Sequence, residues 1–313
     1  MLVKRNLSPL RVVGYVWRPT LYAAAVSVAV LALRLARPDD RWYRLPFAPI
    51  GTLAAALAIV VAFRANASYQ RWAEARTLWQ GITNNSRILA RQVIAATGDA
   101  ITAGKGGPPP DVLAFQREVV LRVVAFARVL RAELRGTETT EGLDRFLAPA
   151  ELKRIEAAEN GSNMLLTDIG IMIKAGVRAE RIGQFDPIVL EPNLAALNNW
   201  AGGAEKIKTT PIPRQYSFFS RAFIATLTTL LPFGLVGQLD GVLLWWLVPL
   251  STMTSALFIL LERTSEVNDQ PFANAVTDIP MTAICRTIER DLREMLGDTS
   301  LPARPVPVDG YLW

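Results

Sequence analysis

The sequence of 313 residues contains no histidine and a single cysteine, Cys285. Without histidine the chain has no Ser-His or Cys-His catalytic pair, no imidazole base and no imidazole metal ligand. The helical pattern around Cys285 favours a small buried side chain over a nucleophile, because no histidine is available to activate the thiol. A phosphate-binding glycine loop and clustered carboxylates are missing as well. We therefore expect a protein that is not an enzyme and that binds no cofactor and no metal.

Charge is missing from four long stretches, although the chain as a whole is rich in charge. Lys and Arg number 34 against 28 Asp and Glu, which gives a net charge of +6, while 51% of the residues are hydrophobic. A basic chain can bind nucleic acid, but here the basic residues are scattered, and long uncharged runs are untypical of a soluble DNA-binding protein. Anionic lipid is the better acidic neighbour. We expect the lipid bilayer as a partner and no nucleic acid.

The uncharged stretches have roughly the lengths of membrane spans, since a helix needs about 20 apolar residues to cross a bilayer. They cover residues 21–33, 45–63, 222–239 and 241–261. The first follows a basic segment and resembles the apolar centre of a signal peptide. Pro19 interrupts that basic segment, and Arg34 and Arg37 crowd any cleavage point. We therefore favour a somewhat short membrane helix.

Charges and aromatic residues predict the orientation of the spans. Between Arg221 and Glu262 the only charge is Asp240, at the tip of a helical hairpin. Lys and Arg lie near the opposite ends of the hairpin, so the tip should face outside. Four spans then put both termini in the cytoplasm, as expected for a multi-pass protein of the inner (plasma) membrane. The basic loop 34–44 runs against this rule, whereas the aromatic pair Trp42 and Tyr43 suits a membrane interface.

No stretch of useful length alternates apolar and polar residues as a strand does, so we predict an all-α protein. Pro232 and Pro249 should kink or interrupt the helices of the hairpin. The expected organisation has four parts. They are 1–63 with the first two membrane helices, 64–215 as a cytoplasmic helical region, 216–262 with the third and fourth membrane helices, and 263–313 as a cytoplasmic helix and extended tail.

Several helices are predicted within the two aqueous regions. Asp111 is a natural cap for a helix that extends to Arg135. Thr277 or Asp278 should cap a C-terminal helix that begins near Pro280. Shorter helices are expected over 149–158, 163–175, 178–185 and 193–207.

The second span continues without proline into a polar but helical sequence, which predicts one long helix that leaves the membrane. Within its apolar part Ala55, Ile59 and Phe63 recur every four residues and therefore share one face. Two interpretations are open for that face. It can contact lipid or a neighbouring helix, as most apolar residues of a span do, or it can form the narrow, dry wall of a pore.

A characteristic run of residues starts at the end of this span. It consists of Phe63, Arg64, Ser68, Tyr69, Arg71, Glu74, Ala75, Arg76 and Trp79. Later motifs are Gly202-Gly203 with Glu205 and 209–213, then Leu231-Pro232-Phe233, then Pro271-Phe272 with 278–280 and 288–290. In order and type these residues resemble the bestrophin family, specifically its bacterial branch, over about residues 10 to 300.

The resemblance implies an ion channel made of five identical subunits around a central pore. By the match to the family, Ala55, Ile59 and Phe63 would line a hydrophobic constriction within the membrane. Phe185, with Gln184 beside it, would form a second constriction at the cytoplasmic exit, with Ile188 as the alternative. The permeant species would be small monovalent ions, chiefly chloride, although bacterial members also resemble monovalent-cation pathways.

Two further expectations concern calcium and the competing functions. The animal members bind calcium through an acidic run after the last span, whereas residues 269–278 contain only isolated acids here, so we predict no calcium site. Conductance should therefore be unchanged by a chelator. A secondary transporter is the alternative within membrane transport, although internal inverted repeats are not evident. A structural or receptor-like membrane protein is the other alternative, and current through the purified protein would discriminate against it.

Overall fold

The structure, a computed structural model, describes residues 9–102, 109–275, 277–308 and 310–312. Its helices are α1 (Pro9–Ala36), α2 (Phe47–Thr102), α3 (Pro110–Arg135), α4 (Pro149–Glu156), α5 (Gly161–Arg178), α6 (Asp186–Thr209), α7 (Arg214–Leu235), α8 (Leu247–Asn268) and α9 (Met281–Met295). A 3₁₀ helix, Gly241–Trp246, precedes α8. Within the described ranges no strand occurs, and only one isolated bridge joins Val308 to Tyr311. The prediction of an all-α protein is confirmed.

Four segments are long and apolar enough to cross a membrane, as predicted. They are Gly14–Ala36, Phe47–Gly98, Arg214–Leu235 and Gly241–Asn268. The second belongs to the single 56-residue helix α2, which continues without a break from the apolar into the polar sequence. The chain is thus a membrane protein with four apolar helices.

The helix caps predicted from side chains are wrong. Asp111 lies in the first turn of α3, and Pro109 occupies the capping position, because Pro110 is well suited to the first helical residue, where no N–H partner is needed. Neither Thr277 nor Asp278 caps α9, which begins after Pro280 without a side-chain cap. The Asp278 carboxylate instead accepts a hydrogen bond of 2.9 Å from the main-chain N–H of Ala275 and closes a turn.

The chain between α5 and α6 also differs from the prediction of a helix over 178–185. Helix α5 ends at Arg178, Glu180 adopts a left-handed φ of 55°, and α6 starts at Asp186. Pro187 lies in the first turn of α6, where its missing N–H costs nothing, so this proline helps to begin a helix. The segment before it consists of turns.

The prolines of the hairpin act differently from each other. Helix α7 continues through Pro232 and ends three residues later, at Leu235. Pro249 lies in the first turn of α8, and the preceding residues form the 3₁₀ helix instead of an α-helix. The fourth span is therefore interrupted just before Pro249, as that residue's fixed φ and missing donor favour a helix start.

The described chain divides into two compact units. The first, which we call the membrane unit, contains the described residues up to Trp72 and Pro211–Gln270. In it α8 packs against α1 and α7, and the hydroxyl groups of Ser27 and Ser251 lie 2.6 Å apart in its buried interior. Because α1 is part of this packed interior, the structure favours a membrane helix over a signal peptide.

Both connecting tips of the membrane unit lie at the same end. Arg34 forms a 3.0 Å ion pair with Asp240, and the main-chain N–H of Leu45 donates to the carbonyl of Phe233 at 3.0 Å. Trp42 is exposed, as expected at an interface, but Tyr43 is buried and donates to the carbonyl of Arg37. Tyr43 therefore contacts protein instead of solvent or lipid, because its hydroxyl finds its partner inside the protein.

The second unit contains Ala73–Thr210 and the described chain from Pro271 onward. Its core is built around α3, which packs against α5, α6 and α9 and buries apolar side chains along most of its length. Cys285 of α9 is buried in this core, donates its thiol hydrogen to the carbonyl of Ala127 at 3.2 Å, and has a pKa raised by burial to about 11. The prediction of a small buried side chain at this position is thus confirmed.

Candidate functional site

The first part of α2 has one buried and one exposed face. Ile50, Leu57 and Val61 are buried in a cluster with apolar residues of α7 and α8. On the other side of the helix Ile59 and Phe63 are 59% and 72% exposed. Ala55 is exposed on that side too, so all three residues predicted for the membrane constriction share an exposed apolar face. The described helices of the membrane unit leave this face uncovered.

Arg64, which follows Phe63, points to the buried side of the helix and is 6% exposed. Its guanidinium donates hydrogen bonds to the carboxylate of Glu262 on α8 and, at 3.2 Å, to that of Asp269 just beyond the same helix. An arginine buried among apolar helices is unfavourable unless it is paired and hydrogen-bonded, and two carboxylates meet that need here. Arg64 therefore attaches α2 to the end of α8.

The next residues of the motif extend the same contact. The Ser68 hydroxyl donates to the Asp269 carboxylate, and Arg71 Nε donates to the Asp269 carbonyl at 2.9 Å. Arg64 and Arg71 are seven residues apart, as are Glu262 and Asp269, so each pair occupies one face, two turns apart. Glu262 and Asp269 were not predicted from the sequence as the partners of Arg64. The matched spacing of opposite charges is the signal that points to them.

The residues predicted for the second constriction lie at the start of α6, with Gln184 and Phe185 just before the helix and Ile188 in its first turn. Phe185 and Ile188 are 74% and 69% exposed, and Gln184 is exposed beside them. The Asp186 carboxylate accepts a 2.6 Å hydrogen bond from the main-chain N–H of Gly183 and holds the turn closed. The structure thus brings the three residues together at the exposed N-terminal end of α6, where the helix dipole is positive.

The Gly202-Gly203 motif has a packing role in the second unit. A Cβ on Gly203 would come within 2.6 Å of Leu78, and one on Gly81 within 2.5 Å of the Trp200 ring. Both glycines therefore allow α2 and α6 to approach closely. A Cβ on Gly202 would meet no described atom within 4 Å. Only the second glycine of the motif is required by this packing.

Acidic side chains do not cluster in the part of the chain that the structure describes. Among the described residues no group of three or more His, Cys, Asp or Glu side chains could hold a metal ion. In the stretch 269–278, Asp269 is bound to Arg64 and Ser68, and Asp278 closes the turn at Ala275. Burial raises the pKa of the Asp278 carboxyl, whereas the Ala275 N–H bond acts in the opposite direction.

Comparison with known proteins identifies relatives that match most of this chain. The protein YneE of Escherichia coli K12, named a voltage-dependent anion channel-forming protein, is 31% identical over 276 residues, covering 86% of this chain and 85% of that protein. The similarly named mll4386 of Mesorhizobium japonicum is 30% identical over 302 residues, with 94% and 88% covered.

Solved structures agree with these sequence relatives. The crystal structure of a bacterial bestrophin homologue from Klebsiella pneumoniae superposes with a TM-score of 0.78 at 29% identity, covering 90% of this chain and 98% of that one. A single-substitution variant of the same homologue gives a TM-score of 0.79, also at 29% identity, with 91% and 100% covered. The family model described as Bacterial/Fungal Bestrophin protein matches residues 7–294. The chain therefore belongs to the bacterial and fungal bestrophin family, as its motifs predicted.

Proposed function

We propose that this protein is a homopentameric channel of the inner membrane that conducts small monovalent ions, chiefly anions such as chloride. The first constriction of its pore is formed by Ala55, Ile59 and Phe63 of α2. Residues 64–215 and 263–313 lie in the cytoplasm, as do both termini. Relatives named voltage-dependent anion channel-forming proteins support the activity.

The exposed apolar face of α2 is the observation that carries the proposal. A face that contacts lipid would explain exposed Ile59 and Phe63 equally well by composition alone. However, exposed tryptophan and tyrosine residues, which are typical of lipid interfaces, lie mainly on other helices, as at Trp17, Tyr216 and Trp245, with Tyr69 the exposed one among the described residues of α2. Beyond Phe63 the same face of α2 continues with small residues and the exposed Gln70, as suits a wall that meets water.

Rings of five Ile and five Phe side chains would act on ions without bearing a charge. A narrow apolar ring expels water and so raises the free energy of an ion that must pass through it. Ala55 stands where family members usually have a larger residue, so the outer ring is wider and Ile59 and Phe63 supply the barrier.

The cytoplasmic exit is formed by Phe185 with Gln184 beside it, or by Ile188 one turn later. All three are exposed, and the positive end of the α6 dipole lies at this turn, which favours an anion over a cation. Asp186 in the first helical turn works against that preference. The balance of these two terms is consistent with chiefly anionic conduction in which cations also pass.

Planar-bilayer recording of the purified full-length protein tests the proposal. The wild type should carry current. In asymmetric KCl its reversal potential should be shifted from zero toward the equilibrium potential of chloride. Ile59→Ala should raise the conductance several-fold, because the smaller ring holds water more readily; a lower barrier of about 1.4 kcal/mol corresponds to a tenfold increase.

Val60→Ala is the matched control. Val60 follows Ile59 in α2, is 43% exposed, and points in a different direction from the helix axis. This variant should leave the conductance at the wild-type level. Equal effects of the two substitutions, or no current from correctly assembled wild-type protein, would overturn the pore assignment.

A further inference from the structure

An open groove of about 220 Å³ lies between α1, α7 and α8 in the membrane unit. Pro19, Tyr22, Ile224 and Ile259 give it a mainly apolar lining. The groove is at the end of these helices where charged residues begin, because it combines an early part of α1 and α7 with the last turns of α8. Such a position corresponds to the interface between the hydrocarbon core and the lipid headgroups.

One carboxylate oxygen at this groove has no partner among the described residues. Glu262 lines the groove, and its side chain is 6% exposed. Its Oε1 accepts from Arg64, whereas its Oε2 is buried without a hydrogen-bond donor in the described ranges. A buried carboxylate oxygen without a donor is unfavourable, so the site lacks a donor that a ligand can supply.

The opposite charge at the groove comes from α7. Arg221 lines it, and Nε of this side chain donates to the carbonyl of Ser217 at 3.2 Å, within its own helix. Within the described chain Arg221 makes no ion pair. Arg263, also at the groove, is already neutralised by Glu266 at 2.6 Å. The groove thus offers one guanidinium and one carboxylate oxygen to a ligand.

We propose that this groove binds the headgroup of phosphatidylethanolamine. The phosphate oxygens accept hydrogen bonds from Arg221, the primary ammonium donates to Glu262 Oε2, and the start of the acyl chains lies along Ile224 and Ile259. The zwitterionic headgroup matches the two opposite charges, and charge-assisted hydrogen bonds of this kind are the strong ones.

The same chemistry separates this lipid from the other common ones. Phosphatidylglycerol has the phosphate but no ammonium, so it leaves the Glu262 oxygen without a charged donor. Phosphatidylcholine has a positive charge but no N–H, so it cannot donate a hydrogen bond to that oxygen. Selection of phosphatidylethanolamine over both is therefore the distinguishing property of the site.

The test is lipid retention by the full-length protein. Wild type is reconstituted into vesicles with equal parts of the three lipids with identical acyl chains, extracted with a mild detergent, and examined by native mass spectrometry. Phosphatidylethanolamine should be retained about tenfold over either competitor, as expected for one or two hydrogen bonds to charged groups. Arg221→Gln should lower the retention of all three lipids, because each of them has the phosphate that this side chain binds.

Three variants complete the experiment. Glu262→Gln should bring phosphatidylethanolamine and phosphatidylcholine to equal retention, and Ala225→Leu, which fills the groove without changing charge, should lower retention of all lipids. Arg214→Gln, an exposed arginine of the same helix outside the groove, should behave as wild type.

Arg221→Gln, Ala225→Leu and Arg214→Gln leave the buried Arg64–Glu262 pair unchanged. The test therefore stays decisive even if Glu262→Gln fails to fold. Equal retention of the three lipids by wild type, no lipid retained at all, or the same loss in Arg214→Gln as in Arg221→Gln would each overturn the proposal. The measurement reads binding alone, so it is independent of whether the protein conducts ions.

Discussion

Phe63 and Arg64 are neighbours in the chain, yet their side chains leave α2 in different directions and have opposite environments. Phe63 is 72% exposed, while Arg64 is 6% exposed and bound to Glu262. A rotation of α2 about its axis would withdraw Arg64 from both carboxylates, and removing one partner of a buried pair costs about 3–5 kcal/mol. The buried arginine therefore determines which residues of α2 are exposed, including those of the proposed constriction.

The charge on the exposed face of α2 should control ion preference. Gln70 is exposed and lies seven residues, two helical turns, after Phe63 on the same face. If this face lines the pore, Gln70→Lys should shift the reversal potential in asymmetric KCl toward chloride, and Gln70→Glu should shift it toward potassium. Five like charges around one ring attract counterions strongly in a narrow space.

The two substitutions control for each other, since both replace the same neutral side chain by a charged one. Shifts of the same sign, or reversal potentials identical to wild type, would show that Gln70 does not face permeating ions.

At the scale of helices, α2 combines two kinds of packing along its 56 residues. In the membrane unit it buries an apolar stripe and one arginine, whereas in the second unit it approaches α6 through glycines. Large side chains on one helix pack over glycines of the other helix, as the Trp200 ring packs over Gly81. Close packing of this type leaves little tolerance for added volume.

Gly81→Ala should therefore destabilise the protein. The added Cβ would lie 2.5 Å from the rigid Trp200 ring, and overpacking of this kind typically costs about 1–3 kcal/mol. Gly98→Ala on the same helix meets no atom of the described residues within 4 Å, so it should be neutral or stabilising by up to about 1 kcal/mol, the helix propensity gain of alanine. Thermal unfolding of the detergent-solubilised variants measures both, and a Gly81→Ala protein as stable as Gly98→Ala would contradict the steric argument.

At the scale of the whole molecule, one chain has four apolar helices, and the exposed apolar residues of α2 include Ile59 and Phe63. Four spans are too few to enclose an aqueous path between them, so the proposed channel requires several copies around an axis. Symmetry then makes each exposed residue of α2 a ring.

The purified protein should accordingly have a native mass of five times the 34.4 kDa chain, after subtraction of bound detergent and lipid. Light scattering or native mass spectrometry measures this mass, and conductance should follow the pentamer fraction. A monomer or dimer that still conducts would contradict the assembly, since neither can form the rings from which the barrier is derived.

Local features of the sequence were enough to predict the class of the fold. The four uncharged runs, the continuous helical pattern after Phe63 and the absence of alternation each depend on neighbouring residues, and the corresponding helices are all present. The family resemblance rests on motifs that can be read in order along the chain, and it too is confirmed. Caps and the segment before α6 were mispredicted, since proline at a first helical turn competes with the side-chain signals that mark a boundary.

Only the tertiary structure decided which side of α2 is buried and what its motif does. Arg64 and Glu262 are 198 residues apart in sequence, and no local pattern states that they meet. The same holds for Gly81 with Trp200, and for the groove that leaves one oxygen of Glu262 unpaired among the described residues. The sequence alone determined the lengths and periods of the helices, because these arise from adjacent residues. Their mutual contacts arise from packing between distant segments, which is a property of the folded chain.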